Sequence, residues 1–284
     1  MKEFRDRVAV VTGGASGIGR AMARRFAREG MKIVLADIEQ GALERAADAI
    51  RAEGATVLPM RTDVSKAEEV EHLADAALRQ FGAVHIVCNN AGVVPPGGFV
   101  WDATLADWQW VLGVNLWGVI HGVRVFVPIM LKQGTEGHIV NTASMAGLIT
   151  GPFLGIYSVA KHGVVALSES LYHEFNLTGA KLKVSVLCPA WVNTNLVDAA
   201  RNRPRELQNE PSARPPSPAG EAVMQSVRQL LATGMSPEQV AEEVFRAVRE
   251  EQLYILPHRD RTDVIRARME AIVEERNPET RPLT

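Results

Sequence analysis

Short apolar runs and longer amphipathic stretches alternate along the chain. Val8-Ala9-Val10-Val11 and Ile33-Val34-Leu35-Ala36 are continuous apolar runs, each followed by helical periodicity, over 18–29 and 40–53. Val57-Leu58-Pro59-Met60, Ile86-Val87-Cys88, His138-Ile139-Val140-Asn141 and Val184-Ser185-Val186-Leu187 read as further strands. Pro59 fits a strand only near its end. Helical stretches at 68–81, 106–132 and 159–176 separate these runs. Such alternation predicts a parallel sheet covered on both faces, a doubly wound α/β fold. No linker or repeat interrupts it, so 1–284 reads as one domain. Thr104-Leu105-Ala106-Asp107 and Ser236-Pro237-Glu238-Gln239 have the form of capping boxes. Pro204, Pro211, Pro215, Pro216 and Pro218 crowd the stretch 201–220, a density no packed element tolerates. Helical patterning resumes at Glu221. The region 195–235 therefore reads as a lid over a site, or its prolines as a passive insertion.

Composition narrows the classes. A chain of 284 residues, 46% hydrophobic, can bury a sizeable core. With 31 basic and 33 acidic residues the net charge is -2, which argues against a nucleic-acid partner. Cys88 and Cys188 sit in apolar runs, as expected in a reducing compartment. The opening residues lack the apolar stretch of a signal peptide, and no run approaches the length of a membrane span. A cytoplasmic protein without a membrane partner is the expectation.

One end of the pattern reads as a nucleotide site. Thr12-Gly13-Gly14-Ala15-Ser16-Gly17-Ile18-Gly19 lies between the first strand and the first helix. Glycines there let the backbone turn tightly against a pyrophosphate that sits on the free N–H groups of the helix start. Asp37 ends the second strand, where a carboxylate accepts from an adenosine ribose diol and repels a 2′-phosphate. Ile38 and Ser16 bring no compensating charge, so NAD is expected over NADP. Asp63-Val64 and Asn90-Ala91-Gly92 follow the third and fourth strands, within reach of a dinucleotide. Asp63 either accepts from the adenine amine or caps the following helix. Asn90 braces the turn, and Gly92 lets the chain pass close to the ribose.

Chemistry collects elsewhere. Tyr157 and Lys161 are four apart on one helix face, and Ser144 follows the strand ending at Asn141. An ammonium about 4 Å from the phenol, at an effective dielectric near 20, contributes up to ~4 kcal/mol toward the phenolate. That brings the tyrosine toward the range useful for general acid–base work, while Ser144 donates to a carbonyl oxygen. Asn115, in an apolar helical tract, either lies idle on the helix surface or holds through its amide a water linking Lys161 to solvent.

These residues, in this order and spacing, resemble the short-chain dehydrogenase/reductase family, from about Val8 to Thr194 and more weakly to about Leu256. The resemblance implies a Rossmann-type fold of about seven parallel strands, a nicotinamide cofactor and no metal. It places the catalytic set on Asn115, Ser144, Tyr157 and Lys161, and gives Lys161 a second contact to the nicotinamide ribose. It also places cofactor contacts on Pro189, Val192 and Thr194. Ala190 stands where the family has glycine, which implies about 1 kcal/mol of strain if the position requires a positive φ.

The substrate wall is expected from Ser144, Met145, Leu154, Tyr157, Trp191 and Leu196, apolar apart from the reacting groups. That favours a neutral, fairly apolar secondary alcohol or its ketone, oxidised or reduced with NAD. An NADP-dependent carbonyl reductase and a dinucleotide-binding scaffold without turnover are the alternatives. Trp101, Trp108, Trp110 and Trp117 offer more aromatic area than one helix buries, as at a subunit contact. The resemblance implies a homo-oligomer, a homotetramer before a dimer.

Overall fold

The computed structural model describes residues 1–95, 97–210 and 218–279. Its strands are β1 (Val8–Thr12), β2 (Lys32–Asp37), β3 (Val57–Arg61), β4 (Ile86–Asn89), β5 (Gly137–Thr142), β6 (Leu182–Leu187) and β7 (Tyr254–Ile255). They form one sheet in the order β3-β2-β1-β4-β5-β6-β7, and every neighbouring pair is parallel. The helices are α1 (Gly17–Arg28), α2 (Gln40–Ala52), α3 (Ala67–Phe81), α4 (Leu105–Leu112), α5 (Gly118–Gln133), α6 (Gly155–Thr178), α7 (Pro218–Ala232), α8 (Pro237–Glu250) and α9 (Thr262–Val273). Successive strand residues face opposite sides. Ala9, Val11, Ile33 and Leu35 pack with Phe26 of α1, Ile50 of α2 and Val244 of α8. Val8, Val10, Val34 and Ala36 pack with Leu73 of α3, Phe126 of α5 and Phe175 of α6. Continuous apolar runs are what strands covered on both faces require. The result is the expected Rossmann-type, doubly wound sheet, whose strand order reverses between β1 and β4.

Three expectations need correction, and the seventh strand lies where no run is read. Pro59 lies in the middle of β3, opposite Leu35, and is tolerated because β3 is the sheet edge. β7 has only two residues, too few for a pattern. Its pairing with β6 is extended by Val186 N donating to the Leu253 carbonyl at 2.7 Å. The helix expected over 106–132 breaks into α4, a π turn at Gly113–Trp117 and α5. The tract Leu105–Gln133 does have the length and hydropathy, 1.5, of a membrane span. In this fold part of that apolarity is buried, at Val111, Phe126 and Met130 among others, while Leu105, Trp117 and Leu131 stay exposed.

Both capping boxes form, at Thr104–Asp107 and Ser236–Gln239. Asp107 does more than cap α4. Its Oδ1 accepts from Arg203 at 2.6 Å and from Asn209 at 3.0 Å, tying the start of the proline-rich stretch to α4. Pro211, Pro215 and Pro216 lie outside the described residues.

A buried polar chain joins the sheet to α6. Asn89 Nδ2 donates to Asn141 Oδ1 at 2.9 Å, Asn141 Nδ2 to Ser168 Oγ at 3.0 Å, and Ser168 Oγ to the Val164 carbonyl at 2.7 Å. In a low-dielectric interior such a chain is stabilising only while complete. Asn141→Ala leaves Asn89 and Ser168 each short of a partner. We expect it to lower unfolding free energy by about 2–4 kcal/mol in denaturant titrations; a loss below about 0.5 kcal/mol would mean that the chain contributes nothing.

Candidate active site

The site forms where the sheet order reverses, at the carboxyl ends of β1, β4 and β5. Gly13 has φ +64°, and a Cβ there would stand 2.9 Å from the Ala91 Cα, so this glycine lets the two turns touch. Gly19 sits behind the glycine turn. It does not line the cleft, because its missing Cβ would lie 2.1 Å from the Gly13 carbonyl oxygen. Its part is to let α1 start directly under the turn. Gly13, Ser16, Gly17 and Ile18 do line the cleft. Ser16 is the N-cap of α1 but makes no side-chain cap bond, which leaves the helix start facing that space.

Asp37 lies at the end of β2 beside this turn. Its Oδ2 accepts from Ala15 N and its Oδ1 from Glu39 N, each at 3.0 Å. Burial raises its pKa against the opposing pull of these N–H donors. Sequence reading found no base here, and that is corrected by Arg201. Folding carries it to Glu39, which accepts from Arg201 at 2.6 Å and from Asn202 at 2.8 Å. These bonds hold the Glu39 carboxyl below its usual range, the Asn202 amide contributing most. All three residues line the cleft, and no local pattern could have joined positions so far apart in the chain.

Asp63, Val64, Asn90, Ala91 and Gly92 also border the cleft. Asp63 Oδ1 is engaged by Ser65, whose N and Oγ donate to it at 3.0 and 2.7 Å, as the turn into α3 requires. Asn90 braces as expected, its Nδ2 donating to the Thr12 carbonyl at 3.0 Å.

Tyr157, Lys161 and Ser144 converge at the end of β5. Lys161 is 3% exposed, and its Nζ donates to the Thr142 carbonyl at 2.8 Å. The same nitrogen lies 5.6 Å from the centroid of the Tyr157 ring. Ser144 Oγ donates to the Pro189 carbonyl at 3.3 Å and accepts from Ala146 N at 3.1 Å, and its hydroxyl is near enough to the phenol to favour the phenolate. The expected lowering of the phenol is corrected for the protein alone. Burial raises Tyr157 to about 12, with the Ser144 hydroxyl pulling the other way. Burial likewise brings the Lys161 ammonium down to about 8. Desolvation thus outweighs charge at both groups.

Asn115, fully buried, sits in the π turn. Its expected water-holding amide is already engaged: Oδ1 accepts from Val93 N and Nδ2 donates to the Val93 carbonyl, both at 2.8 Å. Asn115 instead clips the loop after β4 to the helix. A Cβ on Gly92 would be 3.3 Å from Asn115 Oδ1 and 3.7 Å from Lys161 Nζ, so these three residues adjoin.

Pro189, Ala190, Val192 and Thr194 line the far wall. Ala190 is not among the residues with positive φ, so the feared strain is absent. Of the expected substrate residues, Ser144, Tyr157 and Leu196 border the cleft. Met145, Leu154 and Trp191 do not: Met145 is 6% exposed, Leu154 caps α6, and Trp191 packs its backbone against Met235. Their closeness in sequence to site residues did not determine where their side chains go. Val93, Trp110, Val114, Ala199 and Leu231 also border the cleft. Trp110 is also lost as interface area, being 3% exposed with the Arg203 guanidinium 5.2 Å from its ring centroid.

Comparison with known proteins agrees with this geometry. The short chain dehydrogenase family profile matches residues 7–205. The crystal structure of a short chain dehydrogenase/reductase from Burkholderia phymatum in complex with NAD superposes with a TM-score of 0.95, at 48% identity and with 100% of each chain covered. The 1-deoxy-11-beta-hydroxypentalenate dehydrogenase of Streptomyces arenae is 42% identical over 195 residues, 68% of this chain and 69% of that one. The CLA biosynthesis dehydrogenase/reductase of Lactiplantibacillus plantarum is 30% identical over 279 residues, 98% of this chain and 97% of its own. With the matched region running from the glycine turn through Ser144, Tyr157 and Lys161, and the fold agreeing from end to end, this chain belongs to the short-chain dehydrogenase/reductase family.

Proposed function

We propose that the chain is an NAD-dependent oxidoreductase interconverting a neutral, fairly apolar secondary alcohol and its ketone, with Tyr157 as general acid/base. The observation that carries this is the convergence of Ser144, Tyr157 and Lys161 on the same cleft as the glycine turn and Asp37. The residues present fit the cofactor. The Gly13 cradle admits no Cβ, the start of α1 faces the cleft, and Asp37 and Glu39 place two carboxylates at its rim. A 2′-phosphate would meet both carboxylates, and Arg201 is already paired with Glu39. NAD, when bound, supplies the acceptor or donor of the hydride.

The remaining steps belong to the chain. The helix start and the turn hold the pyrophosphate, and Asp37 the ribose diol. Asp63, Val64, Asn90, Ala91 and Gly92 border the adenosine and ribose, Lys161 contacts the nicotinamide ribose, and Pro189, Val192 and Thr194 hold the nicotinamide end. Ser144 Oγ donates a hydrogen bond to the substrate oxygen. Tyr157 Oη gives that oxygen a proton during ketone reduction and takes one during alcohol oxidation. Apolar Val93, Trp110, Val114, Leu196 and Leu231 suit a substrate without charge. Arg203, held by Asp107, is not offered as an anion anchor. Exposed Trp117 in the π turn and Leu131 on α5, with Val159 and Leu177 on α6, support self-association, which we read as a homotetramer. The buried free Cys88 and Cys188 support a cytoplasmic setting.

Three outcomes follow. Tyr157→Phe keeps fold and NAD affinity, measured by direct titration, while turnover with secondary alcohols falls by at least ~10²; near-normal turnover refutes the assignment. Because burial holds the phenol protonated at neutral pH, alcohol oxidation climbs as pH rises through roughly 7–10, while ketone reduction, which uses the protonated phenol, stays level; oxidation rates independent of pH contradict it. In initial-rate assays with each cofactor, kcat/KM with NAD exceeds that with NADP, and Asp37→Ala narrows the gap; equal values in the unaltered protein would remove the role given to Asp37.

A further inference from the structure

The run Pro189–Thr194 crosses the front of the cleft without regular secondary structure, so its shape depends on what holds its backbone. Met145 N donates to the Pro189 carbonyl at 2.9 Å, Met235 N to the Trp191 carbonyl at 3.0 Å, and Asn193 N to the Met235 carbonyl at 2.9 Å. Ser144 Oγ donates to the Pro189 carbonyl at 3.3 Å, and a further tie comes from His258, beyond β7. Ala190 N lies 3.1 Å from its Nδ1, and the Trp191 carbonyl lies 3.0 Å from its Nε2. An amide N–H only donates and a carbonyl only accepts. The ring satisfies both only when neutral, with its proton on Nε2 and a lone pair on Nδ1. The half-buried imidazole therefore acts as a two-pronged clip across the Ala190-Trp191 backbone, holding the N–H of the Pro189–Ala190 peptide and the carbonyl of the Trp191–Val192 peptide.

We propose that His258 is a positioning residue for the nicotinamide end of the cofactor: its neutral Nε2–H form fixes the two-residue Ala190-Trp191 backbone segment that sets Val192 and Thr194 against the cleft, and a proton on Nδ1 releases it. The proposal rests on the reading of the cleft as an NAD site. The imidazolium would point a second N–H at the Ala190 N–H, replacing a hydrogen bond by a repulsion. Burial lowers the pKa of the ring; the Trp191 carbonyl and Asp260 raise it and Arg261 lowers it. Asp260 and Arg261 belong to the same segment as the ring. Neither Pro189–Trp191 nor the turn at 233–236 carries a titratable side chain. The sign follows. The clip is closed above the ordinary histidine value and opens as pH falls through the lower value of the folded protein.

The test measures NAD dissociation constants by direct titration between about pH 5.5 and 8, beside the titration of the His258 ring by NMR with and without NAD. In the unaltered protein NAD affinity should weaken on the order of tenfold toward the acid end. By reciprocity, NAD should shift the ring titration to lower pH. His258→Gln presents an amide oxygen and an NH₂ at a similar separation. It should keep the affinity of the unaltered protein at pH 8 and lose the acid weakening. His258→Ala should bind several-fold more weakly at every pH, with no acid step. An acid step that persists in His258→Gln overturns the proposal even if His258→Ala fails to fold. Equal affinity in His258→Ala, or a ring titration indifferent to NAD, overturns it while leaving the oxidoreductase reading intact. Failure of the unaltered protein to bind NAD overturns both.

Discussion

The hydroxyl of Thr12 ties together the two strands that part company at the centre of the sheet. Thr12 Oγ1 donates to the Cys88 carbonyl at 3.3 Å and accepts from Asn90 N at 2.9 Å and Ala91 N at 3.1 Å. Asn90 returns a bond to the Thr12 carbonyl, and its own Oδ1 accepts from Thr142 Oγ1 at 3.2 Å. The ends of β1, β4 and β5 are thereby held in one plane of hydrogen bonds. Strand ends at a reversal of order have no ladder partner for these groups, and each one left unsatisfied in the interior costs about 1–3 kcal/mol. The glycine turn, the Asn90 loop and Ser144 all hang from this chain. So does the Thr142 carbonyl that receives Lys161.

Around that frame the site is a contest between burial and charge. Tyr157 and Lys161 are packed tightly enough that each is driven toward its neutral form. The ammonium keeps one protein acceptor, the Thr142 carbonyl, and stands over the phenol ring rather than beside a carboxylate. Asn115, with both polar atoms committed to Val93, fixes the neighbouring loop instead of titrating or exchanging. The π turn that carries it departs from the ordinary helical repeat, as helices often do at functional sites. A positively charged ring entering this cleft would shift the balance at the phenol toward its anion.

Local pattern made much of this legible. Apolar runs gave six of the strands because buried parallel strands must be apolar on both faces, and the capping boxes gave the starts of α4 and α8. The spacing of Tyr157 and Lys161 gave a shared helix face. What stayed hidden depends on long-range approach. Glu39 meets Arg201 and Asn202, Asp107 meets Arg203, and His258 meets Ala190 only after the chain has folded. Side-chain direction was equally hidden, so Met145, Leu154 and Trp191 were expected at the cleft wall, where Val93 and Trp110 stand instead. The π turn was masked because its apolar residues continue the helical pattern on either side.

The central claim is that this cleft holds a partly buried phenol whose ionisation answers to the cofactor. Tyrosinate absorbance followed through an alkaline titration, in the unaltered protein and in Tyr157→Phe, isolates Tyr157 from Tyr172 and Tyr254 by difference. Without NAD, that difference should show a group near 12, and saturation with NAD should move it to clearly lower pH. A difference titration that stays in place when NAD is bound would contradict the account.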